Sequence, residues 1–161
     1  MAGRQLVNAA RRPWVLLLAA GPWLGALRPA RAHGSWAGEV LVDHPYAPPT
    51  APGAREAAVH FRGLANRGRQ AERLIGARCE VAERVLMLRR GGAGAEPQAV
   101  PALDLPAGAE LRARHGGDCW LALQGLRGPL RDGERFALWL RFERAGELEV
   151  SVWVQQPRTR S

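Results

Sequence analysis

The amino-acid sequence predicts an all-β fold, a sandwich or small barrel in a single domain, behind an export leader. Three observations carry that prediction. Apolar and polar residues alternate in seven or eight short runs, which is the period of strands half-buried in a sheet. Clusters of Gly, Pro, Asn and Asp separate the runs, as turns require. The 129 residues that remain after the leader (161 less 32) suit one domain with one core.

Residues 1–32 form the leader. Arg4, Arg11 and Arg12 precede the apolar run "PWVLLLAAGPWLGAL", and "RPARA" closes on the small-x-small pattern Ala30-Arg31-Ala32. These are the parts of a secretory signal peptide. Pro22, two glycines and Arg28 leave roughly 15 apolar positions, short of the ~20 that a spanning helix needs. The expected product is therefore periplasmic or secreted, with no membrane span after cleavage. Cleavage also changes the charge. The leader holds five arginines and no acid, so the net charge falls from +8 to +3 for residues 33–161. Every basic residue is arginine, and the arginines are interspersed with acids, as in "REAAVHFR". A nucleic-acid binder would gather them into a stripe, so that class is excluded.

The domain is expected over 33–155, followed by a polar tail at 156–161. Its strands are read at 38–44, 56–66, 72–79, 82–90, 109–114, 119–126, 134–142 and 146–155. In 134–142, Phe136, Leu138, Leu140 and Phe142 share a face, and in the last strand Leu148, Val150, Val152 and Val154 do the same. These stripes are core. The segment 91–98, "GGAGAEPQ", has no apolar anchor and reads as a loop, and "LPAG" at 105–108 is a turn. In 119–126, Trp120 and Ala122 point to one face while Cys119, Leu121 and Leu123 point to the other.

The stretches "AGEVLVDHPYAPPTAPGAREAAVHFRGLANRG" (37–68), "ERLIGARC", "LPAG" and "GGDCWLALQGLRGPLRDGERFALWLRFERAGELEVSVWV" together resemble the PCu(A)C periplasmic copper chaperones. The "DHPYA" opening, Asn66 after a strand, and the run from Leu121 to Val154 are the most specific pieces. The resemblance implies a cupredoxin-like β-sandwich or small Greek-key barrel. It also implies copper as cargo and, as partners, proteins that assemble the dinuclear copper centre of respiratory oxidase. The family holds Cu(I) with imidazole and thioether ligands, which suit a soft ion. The matching positions in this chain are Leu88, Pro97, Trp120 and Ala122, and none of these side chains is a copper ligand. Met87 is the sole methionine after Met1, so the two-methionine site cannot be assembled. The resemblance thus predicts the fold with far weaker Cu(I) binding. A second reading makes the Trp120/Ala122 face an apolar surface for a protein partner in a non-metal interaction module.

The surviving donors are few. Cleavage after Ala32 would expose His33, whose α-amine and imidazole can chelate Cu(II) together. His115 stands five residues before Trp120 and is the other weak candidate, with Met87. His44 is read as fixing a turn, and His60 as either exposed or hydrogen-bonded within its strand. Cys79 and Cys119 fall in phase with apolar neighbours. They are read as a disulfide, as two buried thiols, or as a redox or metal-binding pair. No Ser, Cys or Thr stands in a recognisable nucleophile motif, so the sequence does not read as an enzyme.

Overall fold

A computed structural model describes residues 34–92 and 94–157. Residues 1–33, which include the expected leader and His33, and the tail positions 158–161 lie outside the described residues. Among the described residues eleven strands follow one another: β1 Ser35–Ala37, β2 Val40–Ala47, β3 Glu56–Asn66, β4 Glu72–Cys79, β5 Ala82–Arg90, β6 Pro97–Val100, β7 Leu103–Leu105, β8 Glu110–Leu111, β9 Cys119–Leu126, β10 Arg135–Phe142 and β11 Gly146–Val154. Their spatial order is β6-β5-β9-β3-β2-β11-β10-β4-β7, with β1 beside β2 and β8 beside β3. All pairs are antiparallel except β11 with β2. The result is an all-β single domain in the form of a nearly closed mixed barrel.

The long strand β3 joins the two halves of the barrel. Its first residues pair with β9 (Ala58 with Ala122, Val59 with Leu121), and its remainder pairs with β2 from Tyr46–His60 to Val40–Asn66. Alternation along β3 sends Val59 and Phe61 into the core, where they are almost wholly inaccessible. Leu121 and Leu123 from β9, Leu138, Leu140 and Phe142 from β10, and Val150, Val152 and Val154 from β11 meet them there. Two buried polar side chains pin the turns. Asn66 donates from Nδ2 to the carbonyls of Gln70 (2.7 Å) and Leu105 (3.0 Å), and its Oδ1 accepts the Gly68 N–H. The Glu72 carboxylate accepts the N–H groups of Arg73, Arg144 and Ala145. Both side chains thus have their partners.

Several sequence expectations are corrected. Strands β1, β6 and β7 were not foreseen, because three or four residues carry too little periodicity to be read. The strand expected over 109–114 shrinks to Glu110–Leu111, and residues 112–118 form a loop. Pro97 and Gln98 are not loop residues but the start of β6, where Pro97 pairs with Arg90. The first long strand begins at Val40 and runs on through His44 to Ala47. In β4 the partners of Arg141 and Phe142 are Gly76 and Leu74, which leaves Ile75 as an extra residue. That bulge changes the phase. Leu74 is fully buried, Ala77 and Cys79 pack against the core only in part, and Ile75 does not share their face as simple alternation predicts.

Candidate functional site

The four positions matched to the family's ligands converge. Leu88 on β5 pairs with Trp120 on β9, and Leu86 pairs with Ala122. Pro97 on β6 pairs with Arg90, two residues along β5 from Leu88. Strand alternation therefore sets Leu86, Leu88, Trp120, Ala122 and Pro97 on the outer face of the β6-β5-β9-β3 sheet, with Ala58 opposite Ala122 on β3. All six are half-buried. The Arg90 guanidinium lies 5.5 Å from the centroid of the Trp120 ring, within cation–π range. The face is closed by hydrocarbon, an indole and an arginine, and none of these offers a lone pair to Cu(I).

The weak surviving donors do not complete it. Met87 pairs with Leu121, belongs to the core cluster and is 8 % exposed. Its thioether therefore lies on the opposite side of β5 from Leu88. His33 lies outside the described residues. His115 sits on the 112–118 loop, and its ring stands edge-on to that of His60, with centroids 5.2 Å apart. Among the described residues no group of three or more His, Cys, Asp or Glu is placed to hold a metal ion.

His60 is the feature that sequence reasoning missed. It follows Ala58 on the outer face of β3, yet it is only 6 % exposed, because Tyr46 (centroids 5.6 Å apart) and His115 cover it. The His115 backbone N–H donates to the Tyr46 hydroxyl at 3.0 Å and holds the loop down. The expectation of an exposed or satisfied histidine is therefore corrected: Nδ1 of His60 is buried with no hydrogen-bond partner among the described residues. Burial, helped by the charge of His115, lowers its pKa to about 4, so it is neutral near pH 7. No local signal in "AAVHFRG" reveals this, since the covering residues lie 14 positions before it and 55 after it in the chain.

His44 does not fix a turn. It lies within β2 at φ +42°, and its Nδ1 is 2.5 Å from Oδ1 of Asp43.

Cys79 and Cys119 are both free, so of the alternatives the disulfide is not formed. Cys79 lies just before β5 begins at Ala82, whereas Cys119 pairs with Arg89 near the far end of that strand. Seven residues of strand span roughly 23 Å, far beyond the ~7 Å Cα separation that a disulfide bridges. Burial raises the pKa of both thiols, that of Cys119 to about 11.

Comparison with known proteins agrees with this architecture. The family model described as "Putative lipoprotein LpqE-like" matches residues 40–154. The apo PCuAC domain from PmoF1 superposes with a TM-score of 0.66 at 22 % identity, covering 78 % of this chain and 100 % of that domain. The copper-bound PCuAC domain from PmoF2 also superposes at 0.66 and 22 % identity, over 78 % of this chain and 99 % of that one. The solution structure of CuI-DR1885 from Deinococcus radiodurans gives 0.56 at 27 % identity, over 71 % and 78 %. No curated protein matches the chain at a significant level.

Proposed function

The chain belongs to the LpqE-like family, and from that membership and its PCuAC-type fold we propose an exported, non-enzymatic protein of the copper-chaperone kind. Its role is in assembling the copper centre of respiratory oxidase, and it works through protein contact rather than by holding Cu(I). One observation carries the reading. Leu88, Pro97, Trp120 and Ala122 come together on the face where the family resemblance sets the metal, and they form an apolar surface there. Loss of ligands leaves the fold intact, because the inner faces of the same strands build the core independently of the outer ones.

The apolar run and small-residue ending of residues 1–32 support export, and so does the lipoprotein description of the family. Among the described residues no helix is long and apolar enough to cross a membrane. A non-metal interaction module unrelated to copper is the second reading, and it uses the same Trp120/Ala122 face.

Competition titration of the protein with a chromophoric Cu(I) chelator tests the proposal. The expected outcome is no transfer of Cu(I) from the chelator. Tight binding that survives replacement of His33, His115 and both cysteines would overturn it.

A further inference from the structure

A cavity separate from the Trp120/Ala122 face opens beside the strained residue His44. We propose that this cavity, framed by His44, Tyr46, Arg62, Arg114, Trp153 and Gln155, binds a small organic oxyanion, a phosphate or carboxylate carried on a planar body. Its volume is about 390 Å³, within the range of small-molecule sites.

The charge on its walls selects the sign of the ligand. Arg62 grips Asp43 with two hydrogen bonds, Nε to Oδ2 at 2.7 Å and Nη2 to Oδ1 at 3.2 Å. Asp43 also takes the His44 Nδ1 contact. Burial works to raise the Asp43 pKa, but the bonds from Arg62 and His44 outweigh it and hold the carboxyl below its ordinary value. That carboxylate therefore offsets one arginine and no more. Arg114 donates from Nε to the Arg62 carbonyl at 2.7 Å, which fixes its guanidinium plane, and it has no carboxylate partner among the described residues. Two arginines against one carboxylate repel a metal cation and leave Arg114 uncompensated beside a neutral ligand. An oxyanion satisfies its planar fork.

The other walls complete the recognition. The Tyr46 oxygen already accepts the His115 N–H, so its own proton is free to donate. Trp153 is 39 % exposed and presents an indole wall to a planar ligand. Gln155 and Gln156 add amides. His44 holds φ +42° immediately before Pro45, although a residue before proline prefers extended backbone. Such strain concentrates at sites that use the residue it positions. Here it keeps the His44 ring beside Asp43 and at the cavity wall. The proposal stands whether or not the chain handles copper.

The test is titration of the protein with phenyl phosphate, followed by amide and indole NMR shifts and by calorimetry. Saturable binding of one molecule per chain is expected, with a Kd below about 1 mM. Shifts should concentrate at residues 44–46, 62, 114 and 153–156. Arg114→Gln should weaken binding by about tenfold or more, the loss expected for a hydrogen bond to a charged group. Arg78→Gln makes the same charge change at β4, where Arg78 bonds Glu147, and should leave the affinity unchanged. Benzoate in place of phenyl phosphate distinguishes the headgroups: the tighter of the two names the anion. Shifts on the unaltered protein keep the test valid if Arg114→Gln unfolds. No saturation by about 10 mM of either phenyl phosphate or benzoate, shifts scattered over other arginines, or equal losses in both variants would each overturn the proposal.

Discussion

Two side chains, Trp120 and His60, set the chemistry of the outer sheet face, and each leads to a measurable consequence. Indole nitrogen donates hydrogen bonds only and a methyl group carries no lone pair, so the Trp120/Ala122 pair cannot ligate copper. Trp120→His with Ala122→Met restores an imidazole and a thioether at i and i+2 on one strand face. Cu(I) affinity should rise by at least about tenfold, or about 1.4 kcal/mol, in a competition titration. Adding Leu88→His and Pro97→Met should raise it further, because Leu88 is the cross-strand partner of Trp120. An unchanged affinity in the fourfold variant would show that this face never held the metal.

His60 makes stability depend on pH. Its folded pKa of about 4 lies below the ordinary 6.5, so on acidification the unfolded chain takes up a proton before the folded one does. Its contribution is complete above pH 6.5, is lost as pH falls from 6.5 to about 4, and is flat below that. The total is about 3 kcal/mol. The rings that face it are Tyr46 and His115. Urea unfolding at several pH values should show this decline, and His60→Phe should remove most of it.

At the scale of elements, the 112–118 loop covers His60, and Gly117 lets it close. Gly117 donates its N–H to the Arg114 carbonyl, and Asp118 donates to that of Arg112. A Cβ at 117 would overlap the Arg112 carbonyl oxygen and stand 2.8 Å from that of Arg114, and both are backbone atoms with little freedom to give way. Gly117→Ala should cost about 1–3 kcal/mol. It should also uncover His60 and move its NMR-measured pKa up toward 6.5. A His60 pKa that stays low in this variant would show that the loop is not what buries it.

The same elements show how much was legible beforehand. The bounds of β3, β4, β5 and β9 agree residue for residue with the apolar alternation, since each is long and half-buried. Residues 112–114 read as strand because "AELRAR" alternates, while their backbone is in fact spent on a tight turn around Arg112. Pro97 and Gln98 of β6 read as loop because no apolar residue in 91–98 anchors them, although pairing with β5 supplies their order. The convergence of Leu88, Pro97, Trp120 and Ala122 followed from the family resemblance. The Tyr46–His60–His115 stack and the cavity by His44 did not, because they depend on contacts between residues distant in the chain.

At the scale of the whole molecule, the two thiols report on different openings of one barrel. Cys119 is 3 % exposed within the core cluster, and burial raises its pKa to about 11. At pH 7.5 less than about one molecule in a thousand carries its thiolate, the nucleophilic form. Cys79 ends β4 against Leu138 of β10 and packs against the core only in part. Its pKa is raised too, by burial, while contacts from Ala82, Val81 and Arg127 oppose the shift. Neither thiol is bonded to the other, so nothing but the packing of the barrel restrains their exposure. A neutral alkylating reagent should therefore leave both nearly unlabelled in the native protein. Cys79 should react first, through local fraying where β4 turns into β5. Cys119 should react only through cooperative opening of the β5–β9–β3 sheet, so its rate should follow global stability as urea is added. Mass spectrometry of timed quenches measures both sites at once. Cys119 labelling that matches Cys79, or that ignores urea, would mean that β9 opens independently of the core.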